Sequence, residues 1–276
     1  MDSGDCLEPQ YGSGAERDAN PANGFISATE YADLLAFAED NKVSIITEIN
    51  GPGHARAAIK STESRGDNKY KMYDPNHVNT IQSVQYFTDN VVNPCMESTF
   101  TFYSTVIDYL KGVHAKHVTS GYHDIIHIGG DEVPHDADGN FVWSTSPLCT
   151  TFIENNNKNY KGDKDVAWKT DPLDAKDLFA YYSYRFVQIV DKAGFKVAGW
   201  EEPWTMVTAA GEKVVRPKSE FLADTNKDIY AFNWNLDLAS GAKDWTYQLP
   251  NGWDQQLVTT GNIVNVTQCN KFLHPV

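Results

Sequence analysis

Short apolar runs alternate along the chain with longer amphipathic stretches. Tyr31, Leu34, Leu35, Phe37 and Ala38 recur at three- and four-residue spacing and predict a helix over about 28–41, with Ser27 and Thr29 as candidate N-caps. Val43-Ser-Ile-Ile-Thr-Glu-Ile49 reads as a short strand, followed by a Gly-Pro-Gly turn at 51–53 that runs into another helix. Residues 64–94 are polar and Asn-rich and predict a long irregular stretch, the kind of loop that is usually functional or disordered. Phe102, Val106, Ile107, Leu110 and Val113 mark a helix over 100–117, and Leu178, Tyr181, Tyr182, Phe186, Ile189 and Val190 mark another over 174–193. Residues 1–26 and 134–174 read as loop. Further strands are predicted at 124–128, 195–202, 228–235 and 261–267.

The strand at 124–128 organises the rest. Ile125, Ile126 and Ile128 end in Gly129-Gly130 and then in two carboxylates, Asp131 and Glu132. Adjacent side chains on a regular strand point to opposite faces, so neighbouring acids could not share one cavity. Glycines tolerate sharp bends, which lets the chain aim both acids at one substrate. The bland reading is a strand followed by a polar loop, with Asp131 as a cap. The other strands repeat the pattern: Glu48, then His54 and Arg56 follow the first, Trp200-Glu-Glu202 the third and Trp234 the fourth.

Strands alternating with helices predict a parallel sheet. Acids and aromatics at successive strand ends favour an α/β barrel with its site on that face. Five strands are found where a (β/α)8 barrel needs eight, and a doubly wound open sheet is the structural alternative.

Charge and cysteines narrow the function. Twenty-three basic against 37 acidic residues give a net charge of −14, which argues against nucleic acid or an anionic membrane surface as partner. No apolar run approaches the roughly 20 residues of a membrane span. Met1-Asp-Ser-Gly-Asp5 has neither the basic nor the apolar region of a signal peptide. The four cysteines, Cys6, Cys95, Cys149 and Cys269, include no C-x-x-C pair, which argues against zinc and thioredoxin chemistry, and their even number permits disulfides. A His-x-x-x-His helix motif is absent, so no metal site is expected. Asn265-Val-Thr267 is a glycosylation sequon, meaningful only in a secretory protein.

His127-Ile-Gly-Gly-Asp-Glu-Val133 resembles the signature of the β-N-acetylhexosaminidases of glycoside hydrolase family 20. Glu48-Ile-Asn-Gly-Pro-Gly-His-Ala-Arg-Ala-Ala58 resembles the Glu-Ile-Asp-Met-Pro-(Ala/Gly)-His-Ala-Arg-Ala-Ala of the bacterial chitobiase branch, where Asn93-Pro-Cys95 also recurs. Gly199-Trp-Glu-Glu202 and Asn233-Trp234 fall where the family has two tryptophans of its substrate pocket. In this register the five strands resemble the third to the seventh of a partial (β/α)8 TIM barrel.

The resemblance implies removal of terminal β-linked N-acetylglucosamine or N-acetylgalactosamine from oligosaccharides or glycoconjugates, with no cofactor. It implies that the substrate's own 2-acetamido group is the nucleophile. Glu132 would be the general acid/base, Asp131 would orient the acetamide, His54 would tune the acid, and Trp200 and Trp234 would wall the sugar. It also implies a Cys95–Cys149 disulfide and a secreted or lysosomal location. His127 and Arg56 are read as structural, and Glu48 and Glu201 as supporting groups.

The chain departs from the family in three ways. Asn50 stands where the family has Asp. Phe272-Leu-His274 stands where it has Tyr-Leu-Asp or Tyr-Met-Asp. The first two strands and the eighth are not found, so an incomplete catalytic barrel, a fragment, is expected over 1–276. The alternatives are a non-catalytic sugar-binding homologue of the same fold and an unrelated open α/β hydrolase. The absence of Gly-x-Ser-x-Gly weakens the latter.

Overall fold

The computed structural model describes residues 26–117, 123–159, 173–207, 213–223, 227–233 and 263–265. The loop expected over 1–26 falls almost wholly outside them, as do Trp234, Phe272 and His274.

The described chain runs α1 (Ala28–Asp40), β1 (Thr47–Gly51), α2 (Arg56–Ser64), α3 (Glu97–His117), β2 (Ile125–Gly129), α4 (Pro147–Asn159), α5 (Asp177–Ala193), β3 (Lys196–Trp200), β4 (Thr205–Val207), β5 (Lys213–Val215), β6 (Ile229–Asn233) and β7 (Ile263–Asn265). The local chemistry explains the helix ends. Ser27 Oγ accepts from the Glu30 N–H at 3.2 Å, and Glu30 Oε2 accepts from the Ser27 N–H at 2.8 Å, a reciprocal capping box that starts α1. Gly194, at φ 92°, ends α5 in the left-handed conformation that glycine adopts without steric cost.

β1, β2, β3, β6 and β7 form one sheet in that order, and every neighbouring pair is parallel. The spatial order follows the chain order, without the reversal that a doubly wound sheet carries. The strand faces divide the same way. Ile126, Ile128, Val197 and Ile229 pack with Tyr103, Ile107, Tyr182, Phe186, Val187 and Val190 of α3 and α5 in the main core. The alternate positions, Glu48, His127, Trp200 and Phe232, meet one another on the opposite face. One face is thus apolar and covered by helices, while the other is mixed polar and aromatic.

Three sequence expectations are corrected. The first strand begins at Thr47 rather than at Val43, and Val43 and Ile46 are exposed. Pairing with β2 starts only at Thr47, opposite Ile126, so the ladder and not the apolar run sets the boundary. Residues 134–174 are not all loop, since they hold α4. Its Asn-rich second half hides the helix in the sequence. Its first turn is capped by Ser146 Oγ, which accepts from the Cys149 N–H at 3.4 Å, and Cys149, Phe152 and Ile153 pack inward. The β4–β5 antiparallel hairpin, with strands of three residues each, was too short to leave a period in the sequence.

Candidate active site

The backbone prepares the site before any side chain does. Gly129 and Gly130 have φ of 72° and 100°. A Cβ on Gly129 would lie 1.9 Å from Asn50 Oδ1, and one on Gly130 would lie 2.0 Å from Pro203 Cγ. Both positions therefore demand glycine twice over, by conformation and by space. Beyond them Glu132 has φ 51°, and His54, on the turn after β1, has φ 54°. Non-glycine residues in this region cost free energy and concentrate at functional sites. Here two of them face each other.

The result is a convergence at the C-terminal ends of β1 and β2. His54 Nε2 lies 3.2 Å from Asp131 Oδ2 and 3.4 Å from Glu132 Oε2. Asn50 Nδ2 donates to Asp131 Oδ1 at 3.0 Å, and Gln85 Nε2 donates to Glu132 Oε2 at 3.3 Å. The interaction with Asp131 raises the His54 pKa above the ordinary histidine value against the effect of burial, helped by the charges of Asp131, Glu132 and Glu48. Burial pushes the Asp131 carboxyl up, but the close approach of His54 and the hydrogen bond from Asn50 outweigh it and hold the pKa below the ordinary aspartate value. An imidazole with a raised pKa thus reaches two carboxyl groups on consecutive residues.

On the β3 side, Trp200 Nε1 donates to Glu48 Oε1 at 3.2 Å, which tethers the indole across the sheet. Burial raises the Glu48 pKa, partly offset by that bond. His127 sits beneath the site. Its ring packs edge-on to Trp200 and Phe232, each with centroids 4.9 Å apart, and its Nδ1 accepts from the Gly129 N–H at 3.1 Å. Burial lowers its pKa to about 4. It is a neutral packing group that pins the Gly129 turn. Arg56 pairs with Asp89 at 2.7 Å with its guanidinium 4.6 Å from the Phe87 ring centre, away from the two carboxylates.

Cys95 and Cys149 are bonded through their sulfurs, with Cα atoms 5.3 Å apart. The link ties α4 to the turn before α3. Of the tryptophans expected in the pocket, Trp200 is at the site and Trp234 lies outside the described residues. Asn265 is on β7, where the backbone alone is described. Among the described residues, the ligand atoms of His54, Asp131 and Glu132 lie within 4.8 Å of one another, close enough for a single cation. The ion pairs of His54 with the two acids use these same atoms. Gln85 was not anticipated. It arrives from the irregular stretch 47 residues before Glu132, and the sequence signal was only the length of that stretch.

Paired carboxylates and an imidazole at the C-terminal ends of parallel strands define a site for acid–base chemistry on an α/β scaffold. The sequence matches the glycosyl hydrolase family 20 catalytic domain over residues 9–243. It is 32% identical over 210 residues to a β-hexosaminidase of Vibrio vulnificus, an alignment covering 71% of this chain and 22% of that protein. It is 34% identical over 139 residues to the N,N'-diacetylchitobiase of Vibrio harveyi, covering 46% of this chain and 15% of that one. The solved family 20 exo-β-N-acetylglucosaminidase of Vibrio harveyi, in complex with N-acetylglucosamine, superimposes with a TM-score of 0.55 at 27% identity, over 79% of this chain and 27% of that one. This chain belongs to glycosyl hydrolase family 20, and its fold is of the TIM-barrel-like α/β type. It spans 22%, 25% and 30% of the length of three curated relatives, about a quarter of each.

Proposed function

We propose that this chain carries the acid–base face of a β-N-acetylhexosaminidase that removes terminal, non-reducing N-acetylglucosamine or N-acetylgalactosamine. The observation that carries the reading is the convergence of Asp131, Glu132 and His54, with ion-pair distances of 3.2 and 3.4 Å, on a turn built by two obligatory glycines. Glu132 is the general acid. It gives its proton to the glycosidic oxygen as the bond from the anomeric carbon breaks. The carbonyl oxygen of the substrate's own 2-acetamido group attacks that carbon and forms an oxazolinium ion. Asp131 accepts the acetamide N–H and balances the positive charge that develops. Glu132, now a carboxylate, takes a proton from the water that opens the ring, and configuration is retained. His54 holds the two acids at a fixed separation, and Trp200, tethered by Glu48, walls the sugar. Trp234 would form a second wall.

In this reading β1, β2, β3, β6 and β7 are the third to the seventh staves of a (β/α)8 barrel. Their sequential parallel order and one-sided helix layer support it. The disulfide supports an oxidising, secretory or lysosomal setting. No helix among the described residues is long and apolar enough to cross a membrane.

The test is release of methylumbelliferone from its N-acetyl-β-glucosaminide by the chain and by Glu132→Gln. Turnover by the former and a loss of about 10²- to 10⁴-fold in the latter, at unchanged melting temperature, is expected. Turnover that survives the substitution refutes the role of Glu132. Stabilisation by N-acetylglucosamine without turnover would leave a sugar-binding homologue.

A further inference from the structure

The sheet register singles out Asn50. Pairing passes from Glu48 opposite His127 to Gly51 opposite Gly129, so two residues of β1, Ile49 and Asn50, stand against Ile128 alone. A bulge of this kind kinks the strand and re-aims a side chain. The side chain it aims is that of Asn50, seated over Gly129, where a Cβ would lie 1.9 Å from Oδ1 and 2.5 Å from Cγ. From that seat Asn50 Nδ2 reaches Asp131 Oδ1 at 3.0 Å, while His54 Nε2 lies 3.2 Å from the other oxygen, Oδ2. Each carboxylate oxygen has its own anchor, and both anchors come from the five residues 50–54.

We propose that Asn50 is a positioning residue for Asp131: its amide fixes one carboxylate oxygen while His54 faces the other, holding the group in a single orientation across the site. This rests on the reading of Asp131 as the acetamide-orienting group. The residue type matters. A carboxamide offers a donor and adds no charge. A carboxylate at position 50 would set two acceptors 3.0 Å apart, and such a pair stays together only by sharing a proton. The other titratable groups facing Asp131 are Glu48 of β1, His54 of the following turn, and Glu132 and His127 on the β2 side. His54 Nε2 supplies a second contact at 3.2 Å, so loss of the amide leaves Asp131 held at one point instead of two.

Carboxyl NMR of the chain labelled at aspartate tests this, with the Asp131 signal assigned by its absence in Asp131→Asn. In the unchanged chain Asp131 should titrate as one group below the ordinary aspartate midpoint of about 3.9. In Asn50→Leu, similar in size but without a donor, the midpoint should rise. There kcat/KM for the methylumbelliferyl N-acetylglucosaminide should fall on the order of tenfold, the worth of a hydrogen bond to a charged group. In the isosteric Asn50→Asp, positions 50 and 131 should titrate as a coupled pair, with the upper midpoint above the ordinary value. If Asn50→Leu does not fold, Asn50→Asp carries the test alone. An Asp131 midpoint unmoved by the substitutions overturns the inference even if the parent chain is active. If the midpoints move as stated and the parent hydrolyses no glycoside, the functional reading falls and the anchoring of Asp131 stands.

Discussion

The two ends of the parallel sheet use the same kinds of residue to opposite purposes. At the N-terminal end, His123 Nδ1 accepts from the Ile45 N–H at 2.8 Å and its Nε2 donates to Leu35 O at 3.1 Å. His114 Nδ1 donates to His123 O at 2.9 Å, and its Nε2 accepts from the Tyr31 hydroxyl at 2.9 Å. That hydroxyl also bonds Thr47 Oγ1. Every ring nitrogen is used, in the pattern of neutral imidazoles, and α1, β1, α3 and the approach to β2 are tied together. At the C-terminal end His54 sits between two carboxylates, is partly exposed, and has a raised pKa. Its backbone and that of Glu132 are in the left-handed region. A satisfied polar network stabilises the fold, whereas an under-satisfied, charged one is available to a substrate. The contrast favours the C-terminal end of the sheet as its working end, in line with the proposed function.

The comparison breaks most visibly at Asp131. Asp131→Asn keeps the shape of the site but removes the charge that would face the proposed oxazolinium ion. Turnover should fall by about 10²- to 10³-fold with the melting temperature nearly unchanged, and steady-state kinetics beside a melt checks both. Replacing Cys95 and Cys149 together by alanine opens a loop spanning 54 residues. Stability measured by urea unfolding should drop by about 2–4 kcal/mol. Because the disulfide braces the loops of the working end, turnover should fall with it. Tyr31→Phe strands His114 Nε2 and Thr47 at the other end. It should cost about 1–3 kcal/mol in urea unfolding and leave kcat unchanged at a temperature where the fold persists. A fall in kcat here would erase the division of labour.

The smallest effect concerns pH, and His54 has the opposite sign to the buried histidines. Burial lowers the His114 pKa, so its contribution to stability is complete above about pH 6.5 and declines as pH falls toward the folded value. His127, lowered by burial to about 4, behaves alike. The His54 pKa is raised, so its contribution is present below about pH 6.5 and is lost as pH rises through the folded value. His54→Gln should therefore steepen the loss of stability between pH 7 and 5, in urea midpoints measured across that range.

What the sequence made legible was what a short segment encodes by itself. Gly129-Gly130-Asp131-Glu132 announced a turn that aims two acids at one place, because the conformational demand and the chemistry occupy consecutive residues. The Ser27 cap of α1 was local in the same sense. The bulge at Ile49–Asn50 was not legible, since it exists only in the register against β2. Gln85 was hidden because its partner lies 47 residues away and no period marks its loop. The helix α4 was obscured by its own asparagines, and the contacts that fix it, from Ser146, Asp74 and the disulfide, come from tertiary structure. The choice between barrel-like and doubly wound sheets also required the structure, because both alternate strands with helices and differ in spatial order alone.

The most direct test of the central claim, that Asp131 and Glu132 together serve one acetamido sugar, is a comparison of two substrates. The methylumbelliferyl β-glycosides of N-acetylglucosamine and of glucose share a leaving group and differ in the 2-substituent. The account predicts hydrolysis of the first and none of the second, with the β-anomer as the first product seen by NMR. Equal hydrolysis of both, or an α-anomer as first product, would contradict it.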